Sequence, residues 1–259
     1  MNAILQATNI NWRIGNAPIL QDISLQLNAG EIVGIIGPNG AGKSSLLNIL
    51  AGITEPDSGA LQLHGAYYNT LERRAFARQL AYLEQEARIN WPLLTERVIE
   101  LGRSPHQSAY SRLEETDNTA IAQAIAETGI AHLLGRNVAT LSQGEKMLVA
   151  LTRVFATQPQ IILADEPVAA LDPNHQLMIM ELINSRSRNK SNAALIVLHD
   201  LSLAARYCDR LILLDGGRVA SEGSPSAVLS DENLREFYKI ECYSDFNEPA
   251  VVQPTRRIN

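Results

Sequence analysis

The chain has 259 residues, 46% apolar and 19% charged, with a formal net charge of −6. That is the composition of an ordinary globular protein with material for a sizeable core, in one large or two smaller domains, and the acidic balance argues against a nucleic-acid binder, which carries a basic face. No apolar run could span a bilayer, Met1-Asn-Ala-Ile-Leu-Gln6 lacks the pattern of a signal peptide, and Cys208 and Cys242, without metal spacing, read as reduced thiols of a cytosolic protein.

The first thirty residues read as strands and turns. Ile4–Ile10 is a candidate strand, Gly15-Asn-Ala-Pro18 a turn, and Ile23, Leu25 and Leu27 repeat with the period of two of a half-buried strand. After Gly30, the apolar run Ile32–Ile36 is too short for a helix and rich in β-branched residues, which predicts a buried strand. Gly37-Pro-Asn-Gly-Ala-Gly-Lys-Ser44 follows at once and fits G-x-x-x-x-G-K-[ST]; Ser45–Leu50 then continues at helical spacing. The chemistry of that order is phosphate binding. Glycines let successive backbone N–H groups turn toward an anion, and the next helix aims its positive end there. Lys43 adds a full charge, and the Ser44 hydroxyl suits a Mg2+ coordination position.

Beyond this motif, Pro56-Asp-Ser-Gly59 is a turn, Ala60–His64 a strand, Thr70–Leu80 helical, and Ala81–Leu83 short and apolar before Glu84-Gln85-Glu86. From about 86 to 156 strand signals vanish. Thr95–Leu101 and Thr116–Leu134 read as helices, and Ser111-x-x-Glu114 and Ser142-x-x-Glu145 as capping boxes. Strands then alternate with helices again: Gln160–Ala164, His175–Asn184, Ala193–Leu198, Leu201–Tyr207, and a hairpin over Leu211–Val219. Such alternation implies a parallel sheet. Residues beyond about 240 show no periodicity and read as a poorly ordered tail.

Three apolar strands end in residues suited to phosphate chemistry: the Gly37–Ser44 loop, Asp165-Glu166, and His199-Asp200. Ligands of open parallel sheets bind at the carboxyl ends of strands, so the three ends are expected to meet. Asp165 suits Mg2+, Glu166 the orientation and polarisation of an attacking water, and His199 a hydrogen bond to the terminal phosphate or that water. Leu141-Ser-Gln-Gly-Glu145 reads both as a helix cap and as an anion site.

The phosphate loop, Gln85, Leu141–Glu145, Ile161–Glu166, Ala170-Leu-Asp172 and His199 occur in the order found in ATP-binding cassette (ABC) ATPases, which the chain resembles up to about residue 240. The resemblance implies an α/β fold: a P-loop NTPase core with a mixed, partly parallel sheet, an N-terminal antiparallel β subdomain and a helical signature subdomain. Residues 1–240 would form one domain, with a helical insertion over about 86–156 and a tail from 241 to 259. ATP and Mg2+ are the implied cofactors. Gly37, Pro38, Asn39, Gly40, Ala41, Gly42, Lys43, Ser44 and Ser45 would hold the nucleotide, and Ser44, Gln85 and Asp165 the metal. Lys43, Gln85, Glu166 and His199 would serve hydrolysis. Two copies would pair head to tail, with Ser142, Gln143 and Gly144 of one contacting the γ-phosphate on the other and Asp172 crossing between them. Further implied partners are two polytopic permease subunits and, indirectly, a substrate-binding protein, with no nucleic acid and a location at the cytoplasmic face of the inner membrane.

Finer features are similar to importers for iron–siderophore, haem and vitamin B12: Glu100-Leu-Gly-Arg-Ser-Pro105 fits E-x-G-R-x-P, and His199–Arg206 continues the pattern. By composition alone, Glu100–Pro105 is also a helix end capped by Gly102 and stopped by Pro105. Three departures stand out. Gln143 occupies a position that is usually Gly, Met147 and Leu148 replace a common polar pair, and Ile14 aligns with the adenine-stacking aromatic; Trp12, two residues earlier, is preferred for that role. Rival readings are a cassette ATPase of DNA repair, for which the heptads of inserted coiled coils are missing, a soluble two-cassette ATPase, or a transporter of another cargo such as zinc or molybdate.

Overall fold

The computed structural model describes residues 3–85, 92–108, 112–188 and 191–258. Two compact units emerge, Met1–Thr70 with Ser187–Asn259, and Leu71–Arg186. The first runs β1 (Ala3–Ile14), β2 (Ala17–Asn28), β3 (Ile32–Ile36), α1 (Lys43–Leu50), β4 (Ser58–Leu63) and β5 (Ala66–Tyr67). The second holds α2 (Arg73–Gln79), β6 (Leu80–Leu83), α3 (Thr95–Glu100), α4 (Glu115–Thr128), α5 (Gln143–Ala156), β7 (Ile161–Asp165) and α6 (Pro173–Ser187). The chain then returns to the first unit with β8 (Ala193–Val197), α7 (Leu201–Tyr207), β9 (Arg210–Asp215), β10 (Arg218–Gly223), β11 (Ile240–Asp245) and β12 (Val251–Arg257).

In the first unit β2, β1, β4 and β5 form an antiparallel sheet in that order. Leu5 and Ala7 of β1 face the core, but so does Ile10, three residues on. A register shift between Ala7 and Ile10, with Asn9 at φ 51°, changes the parity. β1 therefore runs on to Ile14, beyond the expected Ile10. The other sheet of this unit places β3 between β8 and β9, parallel to both, with β10 antiparallel on β9. Every residue of β3 and β8 is buried, as continuous apolar runs require when both faces are covered.

The start of β3 is tied down electrostatically. Arg210 Nε and Nη2 donate to the two carboxylate oxygens of Glu31 at 2.7 and 3.1 Å, a further guanidinium N–H reaches Glu222, and the Ile32 N–H donates to Asp209 at 2.9 Å. Burial would raise the Glu31 carboxyl, but the Arg210 fork and the Asn28 amides outweigh it and hold the group below its ordinary value.

The segment expected to be a poorly ordered tail is instead a hairpin, β11 against β12. Its Val252 is buried, and the Ser202 hydroxyl of α7 both donates to the Val252 carbonyl and accepts from the Val252 N–H, at 3.0 and 2.9 Å. Pro249 and Pro254, and side chains that are mostly half or fully exposed, hide the period-two signal in the sequence.

The second unit contains a parallel pair, β6 with β7, registered from Leu80–Ile161 to Leu83–Ala164. Between them lie the helices. The helix expected over Thr116–Leu134 stops at Gly129, which adopts φ 69° as a left-handed cap, and a separate 3-10 turn covers Ile130–Leu133. The Ser142 capping box is present, with Glu145 accepting from the Ser142 N–H at 2.7 Å and Ser142 Oγ accepting from the Glu145 N–H at 3.2 Å. The one proposed at Ser111 lies outside the described residues, as does the start of the expected insertion at 86–91; at α4 the Glu114 N–H donates to Asp117 at 3.1 Å. Gly102 is not a left-handed cap. It sits in a 3-10 turn over Leu101–His106 that includes Pro105, and a Cβ there would lie 2.2 Å from the Arg153 carbonyl oxygen of α5. Arg103 beside it is buried, donating to Asp117 at 2.7 Å and to the Ala156 carbonyl at 2.8 Å.

Burial raises the Asp117 carboxyl, but its hydrogen bonds from Arg103 and the Glu114 N–H prevail and leave it below its ordinary value. Replacing Asp117 by Asn strands the Arg103 guanidinium and is expected to cost about 3 kcal/mol at neutral pH by urea unfolding. The folded value is depressed, so the contribution of the charge is complete above about pH 4, where an unfolded Asp is ionised. The gap between parent and variant should stay constant there and close as pH falls through the folded value.

Candidate functional site

In the first unit the phosphate-loop residues link β3 to α1. Gly37, Gly40 and Gly42 have φ of 148°, 81° and 95°, conformations that side-chain-bearing residues rarely adopt. A Cβ on Gly37 would meet the Leu214 carbonyl oxygen of β9 at 2.1 Å, so the loop leaves the sheet where only bare backbone fits. Ala41 is buried and its N–H donates to the Pro38 carbonyl at 3.2 Å, while Asn39 and Gly40 are exposed at the loop tip. The Lys43 side chain is buried and curls back, its Nζ donating to the Gly37 and Pro38 carbonyls at 2.8 and 2.9 Å. A buried ammonium needs such partners, and the lysine charge is thereby fixed inside the curve of the loop. Ser44 and Ser45 lie half-buried in the first turn of α1.

His199 follows β8, the parallel neighbour of β3, and the Leu198 N–H donates to the Ile35 carbonyl at 3.1 Å. Two of the three strand ends singled out by sequence, the phosphate loop and His199, thus leave adjacent strands at the same end. Asp200 caps α7, accepting from the Leu203 N–H at 2.8 Å, and fixes the chain direction just after an exposed His199. On β1, Trp12 is half-buried opposite Leu20, whereas Ile14 is 60% exposed opposite Ala17.

In the second unit β6 and β7 bring together the residues at their carboxyl ends. Asp165 closes β7 with its carboxylate buried, and the Tyr82 hydroxyl of β6 donates to it at 3.4 Å. Burial, reinforced by the Asp165 charge, pushes the Tyr82 phenol far above its ordinary value, which keeps it a neutral donor. Glu166 adopts φ 47°, unusual for a residue with a side chain, and its carboxylate accepts from Gln85 Nε2 at 2.7 Å. Gln85 and Glu166, 81 positions apart, are therefore direct partners. Tyr82 was not singled out by sequence; its place three residues before Gln85 at a strand end is the only signal it carries.

The signature segment opens α5, with Ser142 and Gln143 exposed and Gly144 buried. Gly144 packs against the His175 ring: a Cβ there would lie 2.5 Å from His175 Cδ2. His175 Nδ1 lies 2.6 Å from Asp172 Oδ2, and Asp172 also accepts the N–H groups of Asn174 and His175 at the start of α6. The His175 N–H first, then the His175 ring, hold the Asp172 carboxyl below its ordinary value, with a smaller contribution from the Asn174 N–H. Met147 and Leu148, the departures from the common polar pair, are buried in the helical core. Nearby a groove of about 250 Å³ is lined by Ala77, Tyr82, Leu101, Ser104, Pro105 and Arg153, so the Glu100–Pro105 segment forms one of its walls.

As for the metal, Ser44 in the first unit and Asp165 and Gln85 in the second each carry a side-chain oxygen of the kind a hard cation such as Mg2+ takes. Among the described residues no three His, Cys, Asp or Glu side chains cluster as a metal cage.

Comparison with known proteins accords with this arrangement. The family model described as ABC transporter matches residues 20–169. The hemin import ATP-binding protein HmuV of Pseudomonas fluorescens is 42% identical over 246 residues, covering 92% of this chain and 93% of that protein. The cobalamin import ATP-binding protein BtuD of Halobacterium salinarum is 36% identical over 231 residues, and there the match spans 89% of this chain but only 58% of the relative. Among solved structures, a dimeric ATP-binding cassette in a post-hydrolysis state bound to ADP and Pi is similar with a TM-score of 0.74 and 26% identity, covering 85% of this chain and 98% of that one. A metal-chelate type ABC transporter in an inward-facing conformation shares the fold with a TM-score of 0.84 at 22% identity, over 98% of each chain. With the phosphate loop, signature helix and strand-end carboxylates in place, the chain belongs to the ABC transporter family of ATP-binding cassettes.

Proposed function

We propose that the protein is the ATP-hydrolysing subunit of an ABC importer, acting as a head-to-tail pair at the cytoplasmic face of a membrane on two permease subunits fed by a substrate-binding protein. The observation that carries the reading is the Gly37–Ser44 loop, shaped by three left-handed glycines around a buried lysine. Hemin and cobalamin importers among the relatives favour a tetrapyrrole or iron-chelate cargo.

In this reading Lys43 and the loop amides bind the β- and γ-phosphates, and Trp12 stacks on the adenine. Ser142, Gln143 and Gly144 at the start of α5 present a capped helix N-terminus to the nucleotide held by the other copy. Ser44, Asp165 and Gln85 hold Mg2+, which when bound neutralises phosphate charge. Glu166 orients and polarises the attacking water, and its left-handed backbone aims the carboxylate. His199 donates to the γ-phosphate. Gln85, which bonds Glu166, links the base to the groove beside Tyr82, and the groove takes a cytoplasmic segment of the permease. Binding energy closes the pair and hydrolysis reopens it, so the cycle converts phosphoryl transfer into movement.

Glu166→Gln removes the base but keeps the shape. It should bind ATP and accumulate as a dimer on size exclusion, while Lys43→Ala stays monomeric with ATP; ordinary turnover by Glu166→Gln would count against the assignment. A bulky residue at the exposed groove wall, Ser104→Trp, should leave ATP-driven dimerisation intact and abolish co-purification with the permease. If Ser104→Trp co-purifies as the parent does, the groove is not the docking face.

A further inference from the structure

We infer that His175 is a positioning residue that locks the signature helix to the Asp172 loop. Three observations meet at this side chain. Its ring lies against Gly144, so closely that a Cβ at 144 would come within 2.5, 2.6 and 2.8 Å of Cδ2, Cγ and Nε2. Its Nδ1 is 2.6 Å from Asp172 Oδ2, and because a carboxylate only accepts, Nδ1 carries the proton. Asp172 is itself fixed by two backbone N–H groups of α6, so the ring cannot swing away without breaking that bond. The imidazole is thus a wedge with one face on α5 and one edge on the start of α6.

The arrangement gives Gly144 a second reason to lack a side chain. Close approach of phosphate is one; seating His175 is the other. The wedge makes the exposed Ser142–Gln143 tip and the Asp172 carboxylate parts of one body, although 30 residues separate Ser142 from Asp172 in the sequence. The two features with which the proposed pair would grip each other are then presented in a fixed mutual geometry. The inference rests on the ATPase reading, since it assigns a role within that dimer.

His175→Ala should lower the turnover of ATP by about tenfold, the scale on which small misplacements act. Binding of a fluorescent ATP analogue to the monomer should not change, since the phosphate loop lies elsewhere in the chain. His175→Asn can still donate to Asp172 and should recover most of the turnover, which a cavity effect alone would not give. In Gly144→Ala the new methyl group collides with the ring, so the double variant Gly144→Ala/His175→Ala should turn over no more slowly than Gly144→Ala alone. Parent-like turnover of His175→Ala would overturn the inference. So would losses that simply multiply in the double variant, because Gly144 would then serve phosphate alone. If Glu166→Gln fails to dimerise with ATP, the ATPase-dimer reading itself falls; if it dimerises and His175→Ala is without effect, only the wedge does.

Discussion

The contact between Gly37 and the Leu214 carbonyl sets the shape of the phosphate loop. Two backbones meet there with no room for a side chain, and β3 can hand the chain to the loop only at that point. The opposite end of β3 is fixed as firmly, by the Arg210 fork on Glu31 and by Asp209 on the Ile32 N–H. A strand pinned at both ends gives the loop a rigid base, and Lys43 can then be buried because its ammonium meets two carbonyls already in place. Preorganisation of this kind is what lets a site act on charge without first rearranging.

The second unit works by a different device. Its polar groups are arranged in pairs that restrain one another: Tyr82 on Asp165, Gln85 on Glu166, His175 on Asp172, Arg103 on Asp117. All but the His175–Asp172 pair, which is local to the start of α6, join segments separated in sequence, so the loops are placed by side chains as much as by backbone. The left-handed Glu166 shows what this costs, a strain on the order of 1 kcal/mol that persists only where surroundings enforce it.

Legibility followed burial. β3 and α7 have the bounds that the sequence suggests, because an apolar run buried on both faces and a capped short helix leave few alternatives. The extent of β1 was hidden by the bulge near Asn9, which makes a period-two pattern change phase in mid-strand. The break at Gly129 was hidden because apolar residues continue at helical spacing past it into the 3-10 turn. Of the candidate site residues, those that belong to motifs can be named from the sequence, since glycines, a lysine and carboxylates in fixed order carry their chemistry openly. Tyr82 and His175 cannot, for only folding places Asp165 beside the one and Gly144 against the other. Gly102 shows the converse: its motif was recognised, but its local reason, the passage of backbone past the Arg153 carbonyl, needs α5 to be seen.

One serine hydroxyl, acting in both directions, clasps β12 to α7. The helix so clasped begins two residues after His199, and the carboxy-terminal ribbon thereby becomes a splint for the segment that carries this histidine. A fluorophore or affinity handle attached beyond residue 257 would leave the splint in place, whereas shortening the polypeptide ahead of Val251 would strip it away and expose the apolar seat of Val252.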